Sequence, residues 1–179
     1  SCLFTSKHNE KIASGLAAEF LYNCLKKSKR KSILLFTGDL KSALHASARD
    51  AFKISCATLG LDLLSTVDMK DNEEYFESIL AETFAHYTDQ TDGIYITSGF
   101  SAPLCRFLEA GGYNNIPFVA FDTYEDIKSY MKKGIISATI AQNVENQMKI
   151  ERANWERIGL FDTENVTRRI DGKEVTKEV

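Results

Sequence analysis

The 179-residue chain has no apolar stretch near the roughly 20 residues that a bilayer-spanning helix needs, and no charged-then-apolar signal segment is read at its start. A soluble chain without a membrane partner is expected. Basic residues are in short supply: 22 Lys and Arg stand against 25 Asp and Glu, a net charge of −3. That balance argues against a nucleic-acid or anionic-membrane surface on this segment, so any contact with DNA is expected outside it. The four cysteines, Cys2, Cys24, Cys56 and Cys105, show no metal-type spacing, and each lies in an apolar stretch. They read as reduced core thiols, which places the chain in a reducing, cytoplasmic compartment.

The common signatures of chemistry are missing too. There is no Walker loop, no Gly-x-Gly-x-x-Gly after a strand and no Gly-x-Ser-x-Gly elbow. His8, His45 and His86 lie far apart, with no carboxylate at a telling spacing. A phospho-accepting receiver would want an aspartate after its third strand, where this chain has Thr97-Ser98-Gly99. Phosphate cradling, serine hydrolysis and receiver chemistry are thereby demoted. No metal, no cofactor and no enzymatic activity are expected.

What the chain does have is punctuation. Four short apolar runs each stop on small or polar residues: Ile33 to Phe36 before Thr37-Gly38-Asp39, Gly93 to Ile96 before Thr97-Ser98, Pro117 to Phe121 before Asp122, and Ala138 to Ala141 before Gln142-Asn143. Runs of this length between amphipathic stretches read as parallel strands buried on both faces, with helices covering the sheet. Hydrophobic residues at 44% and charged residues at 26% suit one ordinary domain that buries roughly two-thirds of its unfolded surface.

The spacing predicts a helix over Ser14 to Leu25 and a second over Ala43 to Leu59, with Ala46, Phe52, Cys56 and Leu59 inward and Gly60 as its cap. A strand is expected at Leu61 to Thr66. Asp71 or Asn72 then caps a helix carrying Phe76, Ile79, Leu80 and Phe84. Ala102 to Ala110 and Thr123 to Lys133 are the next helices, closed by Gly111-Gly112 and Gly134, and a long charged helix is expected from about Val144 to Ile158. This alternation predicts an α/β fold: a doubly wound, mostly parallel sheet in the flavodoxin-like order 2-1-3-4-5. Residues 1–160 are expected to form the lobe. Residues 161–179 are expected as an appendage, a hairpin around Asp171-Gly172 or one returning strand.

In such sheets ligands bind outside the carboxyl ends of the strands, which is where Asp122, Gln142, Ser98 and their neighbours stand. A carboxylate at Asp122 can accept hydrogen bonds from two vicinal hydroxyls, or it can cap the following helix, and its two oxygens allow both. Gln142 offers a donor and an acceptor on one amide, as sugar hydroxyls require, or it is a solvated strand end. Phe100 offers a ring face or belongs to the core.

Thr139-Ile140-Ala141-Gln142-Asn143, with Val119-Ala120-Phe121-Asp122 twenty residues earlier, resembles a paired motif of type I periplasmic-binding-protein folds. The nearest resemblance is to the effector-binding cores of lac-repressor and gal-repressor type regulators and to ribose-type periplasmic sugar receptors. Gly15 to Leu21 is similar to the first helix of the carboxyl-terminal lobe in that family, and Ile33 to Gly38 to the strand and glycine that follow it. The resemblance implies that the chain is one lobe of such a fold, that Asp122 and Gln142 contact the ligand and that the loop at Thr97 and Ser98 faces it. His45 falls on the helix that in the family presents a binding residue. Two departures stand out. Ala48 occupies the place where the family carries an Arg, with Arg49 one position on and so rotated by about 100°. The Asn or Asp that the family has near Ser98 is absent. The functional expectation is a sugar-sensing effector domain of a homodimeric transcription regulator, which would reach DNA only through an amino-terminal domain outside this chain. The alternative is a periplasmic sugar-binding receptor serving a transporter or chemoreceptor. Because the chain opens on Ser1 and not on Met, a part of a longer protein is expected.

Overall fold

The computed structural model describes residues 10–121, 125–140, 166–170 and 173–177. The chain divides into two compact units, Asn9–Gln142 and a second made of Ser1–His8 with Asn143–Val179. In the first unit the elements alternate: α1 Glu10–Cys24, β1 Ser32–Thr37, α2 Ala43–Leu59, β2 Asp62–Asp68, α3 Glu73–Tyr87, β3 Gly93–Ile96, α4 Ser101–Gly111, β4 Phe118–Phe121, α5 Glu125–Lys132 and β5 Ala138–Ile140. The five strands are parallel and lie in the order β2-β1-β3-β4-β5. This is the doubly wound α/β architecture that the alternation predicts. In the second unit, β6 Val166–Ile170 and β7 Lys173–Lys177 pair antiparallel, with Ile170 opposite Lys173. The helix expected over Val144 to Ile158 lies outside the described residues. No described helix is long and apolar enough to cross a membrane.

The run Ile33 to Phe36 forms an interior strand, β1, because it can be buried on both faces. Successive side chains of a strand point to opposite sides, so Leu34 and Phe36 enter one apolar cluster while Ile33 and Leu35 enter another. The first cluster takes Phe76, Leu80 and Phe84 from α3, Leu104 and Leu108 from α4 and Ile127 from α5. There Phe36 meets the edge of Phe76 at 5.4 Å between ring centroids and lies parallel to Phe84 at 6.4 Å. The second cluster takes Ala17, Ala18 and Leu21 from α1 and Phe52 and Cys56 from α2. β2 and β5 are only half-buried for most of their length, since each has a single strand neighbour among the described residues.

Helix packing corrects three readings of the sequence. In α2 the buried positions are Ala48, Phe52 and Cys56, one per turn. Ala46 is two residues out of step with them and only half-buried, as is Leu59 at the end of the helix. In α1 the inward positions are Ala13, Ser14, Ala17, Ala18 and Leu21, with Leu25 buried just past its end; the first four are small enough to let the helix approach α2 closely, and the Ser14 hydroxyl donates to the Ala48 carbonyl at 3.0 Å. Cys24, expected as a core thiol, is exposed, because one residue before Leu25 is about 100° away from it around the axis. Cys56 and Cys105 are buried and free, as expected. The predicted caps form: Gly60 ends α2 in the left-handed region at φ 69°, and the Asn72 side chain accepts the Tyr75 N–H at 2.8 Å to start α3.

Two predictions come from this core. Phe36→Ala should lower the unfolding free energy by about 3–5 kcal/mol in urea titrations; a loss of less than about 1 kcal/mol would show that the Phe36 cluster does not hold the sheet. Burial pushes the Cys56 and Cys105 thiols up to about 12. A raised folded-state value means stability that is complete below the ordinary thiol range and is lost as pH rises toward 12. At pH 8, thiol-specific labelling followed by peptide mapping should find Cys24 modified first and Cys56 and Cys105 protected until denaturant is added.

Candidate functional site

In this strand order the chain leaves β1 toward β2 and then returns to β3 on the other side of β1. The loops after β1 and β3 therefore diverge, and the crevice between them is where doubly wound sheets take ligands. Its floor is made by Thr37-Gly38 and Thr97-Ser98, all buried. Backbone bonds hold the neighbouring ends level: the Met69 N–H donates to the Thr37 carbonyl at 2.8 Å, and the Thr97 N–H to the Phe36 carbonyl at 3.0 Å.

On the β1 side the polar groups converge over Gly38. A Cβ added there would run into the His45 imidazole and the Asp71 carboxylate, so the end of β1 has room for these two groups only because it carries no side chain. His45 comes from the first turn of α2 and Asp71 from the loop between β2 and α3. Their Nε2 and Oδ2 atoms are 3.5 Å apart, with the histidine side chain only 15% exposed. Lys70 and Asp71 both take left-handed backbone angles, φ 55° and 48°, which side-chain-bearing residues rarely adopt. The Lys70 ammonium is drawn aside over the Tyr75 ring, 4.2 Å from its centroid, and the Lys70 N–H donates to Asp68 Oδ1 at 2.8 Å.

On the β3 side the site is a set of hydroxyls. Thr97 and Ser98 are 6% and 7% exposed, and Ser101, the first residue of α4, is fully buried. The Thr97 Oγ1 and Ser101 Oγ atoms are buried without a hydrogen-bond partner among the described residues, whereas Ser98 Oγ accepts the Phe100 N–H at 3.4 Å. No side chain caps α4, and the first N–H groups of a helix have no partner within it. An unpaired buried hydroxyl costs about 1–3 kcal/mol. Two of them beside an uncapped helix end form a place that is short of hydrogen-bonding partners.

Of the residues singled out in the sequence, Thr97, Ser98 and His45 stand at the carboxyl edge of neighbouring strands. Asp122 and Gln142 lie outside the described residues; the strands before them end at Phe121 and Ile140. Phe100 packs half-buried against the first apolar cluster. Arg49 bonds Asp50 at 2.8 Å and lines a groove of about 400 Å³ with Lys53, Ser65 and Thr66 beside the edge strand β2, away from the strand ends. A second groove, of about 490 Å³, runs between α1 and β5. Neither coincides with the crevice. No group of His, Cys, Asp and Glu among the described residues could hold a metal ion. Asp71 and Ser101 were missed by sequence reasoning. Asp71 looked like one of two interchangeable helix caps, and nothing in the periodicity signals that Asn72 takes that role and frees it.

A family model described as periplasmic binding protein domain matches residues 2–150. No curated protein sequence matches the chain. Among solved structures, similarity is found to a sugar-binding protein of a sugar ABC transporter from Bacillus halodurans, at TM-score 0.73 and 16% identity, covering 95% of this chain and 61% of that one. A solute-binding protein of an ABC transporter from Burkholderia graminis, in complex with D-arabinose, matches at TM-score 0.72 and 18% identity, covering 95% and 60%. The arabinose-binding protein AraP from Geobacillus stearothermophilus matches at TM-score 0.72 and 16% identity, covering 95% and 61%. The chain thus spans about three-fifths of the length of these structures. At such identities the likeness is one of fold.

Thr97→Val exchanges an unpaired buried hydroxyl for a methyl of the same shape. It should leave the protein as stable as before or up to about 1–2 kcal/mol more stable in denaturant titrations. A clear loss of stability would mean that the hydroxyl already has a partner in the ligand-free fold.

Proposed function

We propose that this chain, which belongs to the periplasmic binding protein domain family, is one lobe of a receptor that binds a sugar at the carboxyl ends of its strands. The observation that carries this reading is the pair of buried hydroxyls of Thr97 and Ser101 at the end of β3, which have no hydrogen-bond partner among the described residues. A buried polar group is normally hydrogen-bonded, and a polyhydroxyl ligand brings donors and acceptors in equal supply. Asp122 and Gln142 are assigned ligand contacts from the family resemblance, the carboxylate taking two hydroxyl protons and the amide giving one hydrogen bond while accepting another. Thr97, Ser98 and His45 line the same crevice. Binding is the role proposed, with no bond made or broken in the ligand.

The mechanism is a population shift. A ligand held by this lobe and by a second one contacts both only when they are closed, so it favours the closed arrangement by the difference in its contacts. Of the similar structures named above, two are ABC-transporter binding proteins, one of them in complex with D-arabinose, and the third is an arabinose-binding protein, which supports a solute receptor and makes pentoses the first ligands to try. A second reading is supported by the free thiols of Cys24, Cys56 and Cys105. Unpaired cysteines are the habit of a reducing compartment, which favours an effector domain of a cytoplasmic, homodimeric DNA-binding regulator. The coding sequence upstream of Ser1 separates the two: a signal peptide belongs to the receptor and a helix-turn-helix to the regulator.

Calorimetric titration of the protein with D-arabinose, D-ribose and D-galactose should give saturable binding of at least one. Asp122→Ala should then weaken that binding by about 2 kcal/mol or more, the scale of a lost charged hydrogen bond. Absence of heat with every neutral sugar would overturn the sugar assignment, and unchanged affinity in the variant would remove Asp122 from the site.

A further inference from the structure

We infer that Asp71, together with His45, forms a second diol contact at the β1 end of the crevice and selects uncharged polyhydroxyl ligands over anionic ones. The inference rests on the sugar-binding reading above and names two residues that decide which sugars are taken.

Three chain segments bring their polar atoms to one point. The end of β1 supplies a bare backbone at Gly38, the first turn of α2 supplies the imidazole, and the loop before α3 supplies the carboxylate. The 3.5 Å between His45 Nε2 and Asp71 Oδ2 is longer than a hydrogen bond of ordinary strength. Neither side chain makes any other polar contact among the described residues. An imidazole 15% exposed, beside a carboxylate 45% exposed and beyond ordinary hydrogen-bonding distance, keeps hydrogen-bonding capacity open to a ligand. Asp71 is held toward His45 by an uncommon left-handed backbone while its neighbour Asn72 caps the helix, so helix capping does not account for its side chain.

A vicinal diol fits what is left open. One hydroxyl donates to the Asp71 carboxylate, and the next exchanges a hydrogen bond with an imidazole nitrogen, which in the neutral ring is either donor or acceptor. The surrounding charges set the selection. Asp39 follows Gly38 and Asp68 is the register partner of Thr37, and each has one oxygen accepting a loop N–H, from Lys41 and Lys70 respectively. Lys41 is exposed, and the Lys70 ammonium is engaged with the Tyr75 ring. An anionic ligand group would thus meet the Asp71 carboxylate at this point, whereas a neutral diol meets an acceptor for its protons.

The test is calorimetry on the protein and its Asp71→Ala, Asp71→Asn and His45→Gln variants, each checked for folding by thermal melting, with D-arabinose, D-ribose and D-ribose 5-phosphate as ligands. Asp71→Ala should weaken the neutral sugars roughly tenfold or more. Asp71→Asn should narrow the gap between ribose and ribose 5-phosphate, since it keeps the shape and removes the charge. His45→Gln should weaken neutral sugars and supplies the test if an Asp71 variant fails to fold. Wild-type affinity and selectivity in these variants, alongside a loss of binding in Asp122→Ala, would overturn this inference and leave the sugar reading standing. If the wild-type protein takes none of the sugars, the sugar reading falls and this inference with it; tighter binding of ribose 5-phosphate than of ribose by the wild type would overturn the inference alone.

Discussion

Ile33, Leu34, Leu35 and Phe36 have no exposed surface, and their alternate side chains enter two separate apolar clusters. A strand with neighbours on both edges and helices on both faces has no route to water, so every element of the first unit is committed to covering it. α1 and α2 close one side, and α3, α4 and α5 close the other. Parallel strands require each crossover to return to the same end of the sheet, and so all the loops after strands gather at one edge. The crevice is a consequence of burying β1, and its position between β1 and β3 follows from the direction in which the chain leaves and returns.

The same burial sets the chemistry of that edge. Groups at the ends of deeply buried strands are sealed from solvent and must find partners in the protein or do without. The Thr37 hydroxyl bonds the Gly38 carbonyl, while those of Thr97 and Ser101 find no partner among the described residues. Nearer the surface, His45 and the exposed Asp71 face each other at 3.5 Å without closing to a hydrogen bond of ordinary length. These polar shortfalls fall on the loops after β1, β2 and β3, while the apolar clusters beneath are well filled. Buried hydroxyls left without partners cost some stability, which is the kind of local compromise expected where a fold is not optimised for stability alone.

Much of this was legible from residue order. The alternation of short apolar runs with helical periods is enough to expect a doubly wound sheet, because few architectures can bury a strand such as Ile33 to Phe36 on both faces. Gly60, Asn72 and the glycines after α4 and α5 announce helix ends through local backbone chemistry, which needs no knowledge of the fold. The strand ends singled out Asp122 and Gln142, and the family resemblance added the expectation that both contact a ligand. Which face of a helix is buried was less legible. Leu16 is as apolar as Leu21, yet it is 55% exposed where Leu21 is fully buried, because the line of contact is set by the helix and sheet opposite and not by α1 itself. Cys24 follows the same rule. The opposite error occurs at Asp71, whose type and place suggest a cap until the loop geometry hands that task to Asn72.

By itself the sequence determined the order of elements, the strands that can be buried and the end of the sheet at which polar residues collect. These depend on periodicity and on local conformational preference, which neighbouring residues decide among themselves. Only the tertiary structure decided which polar residues meet. His45, Asp71 and Gly38 are separated along the chain and come together because β1 and β2 are adjacent and parallel, so that the loop after one passes over the end of the other. The absence of a side chain at Gly38 has meaning only in that arrangement, where it leaves room for an imidazole and a carboxylate at the floor of the crevice.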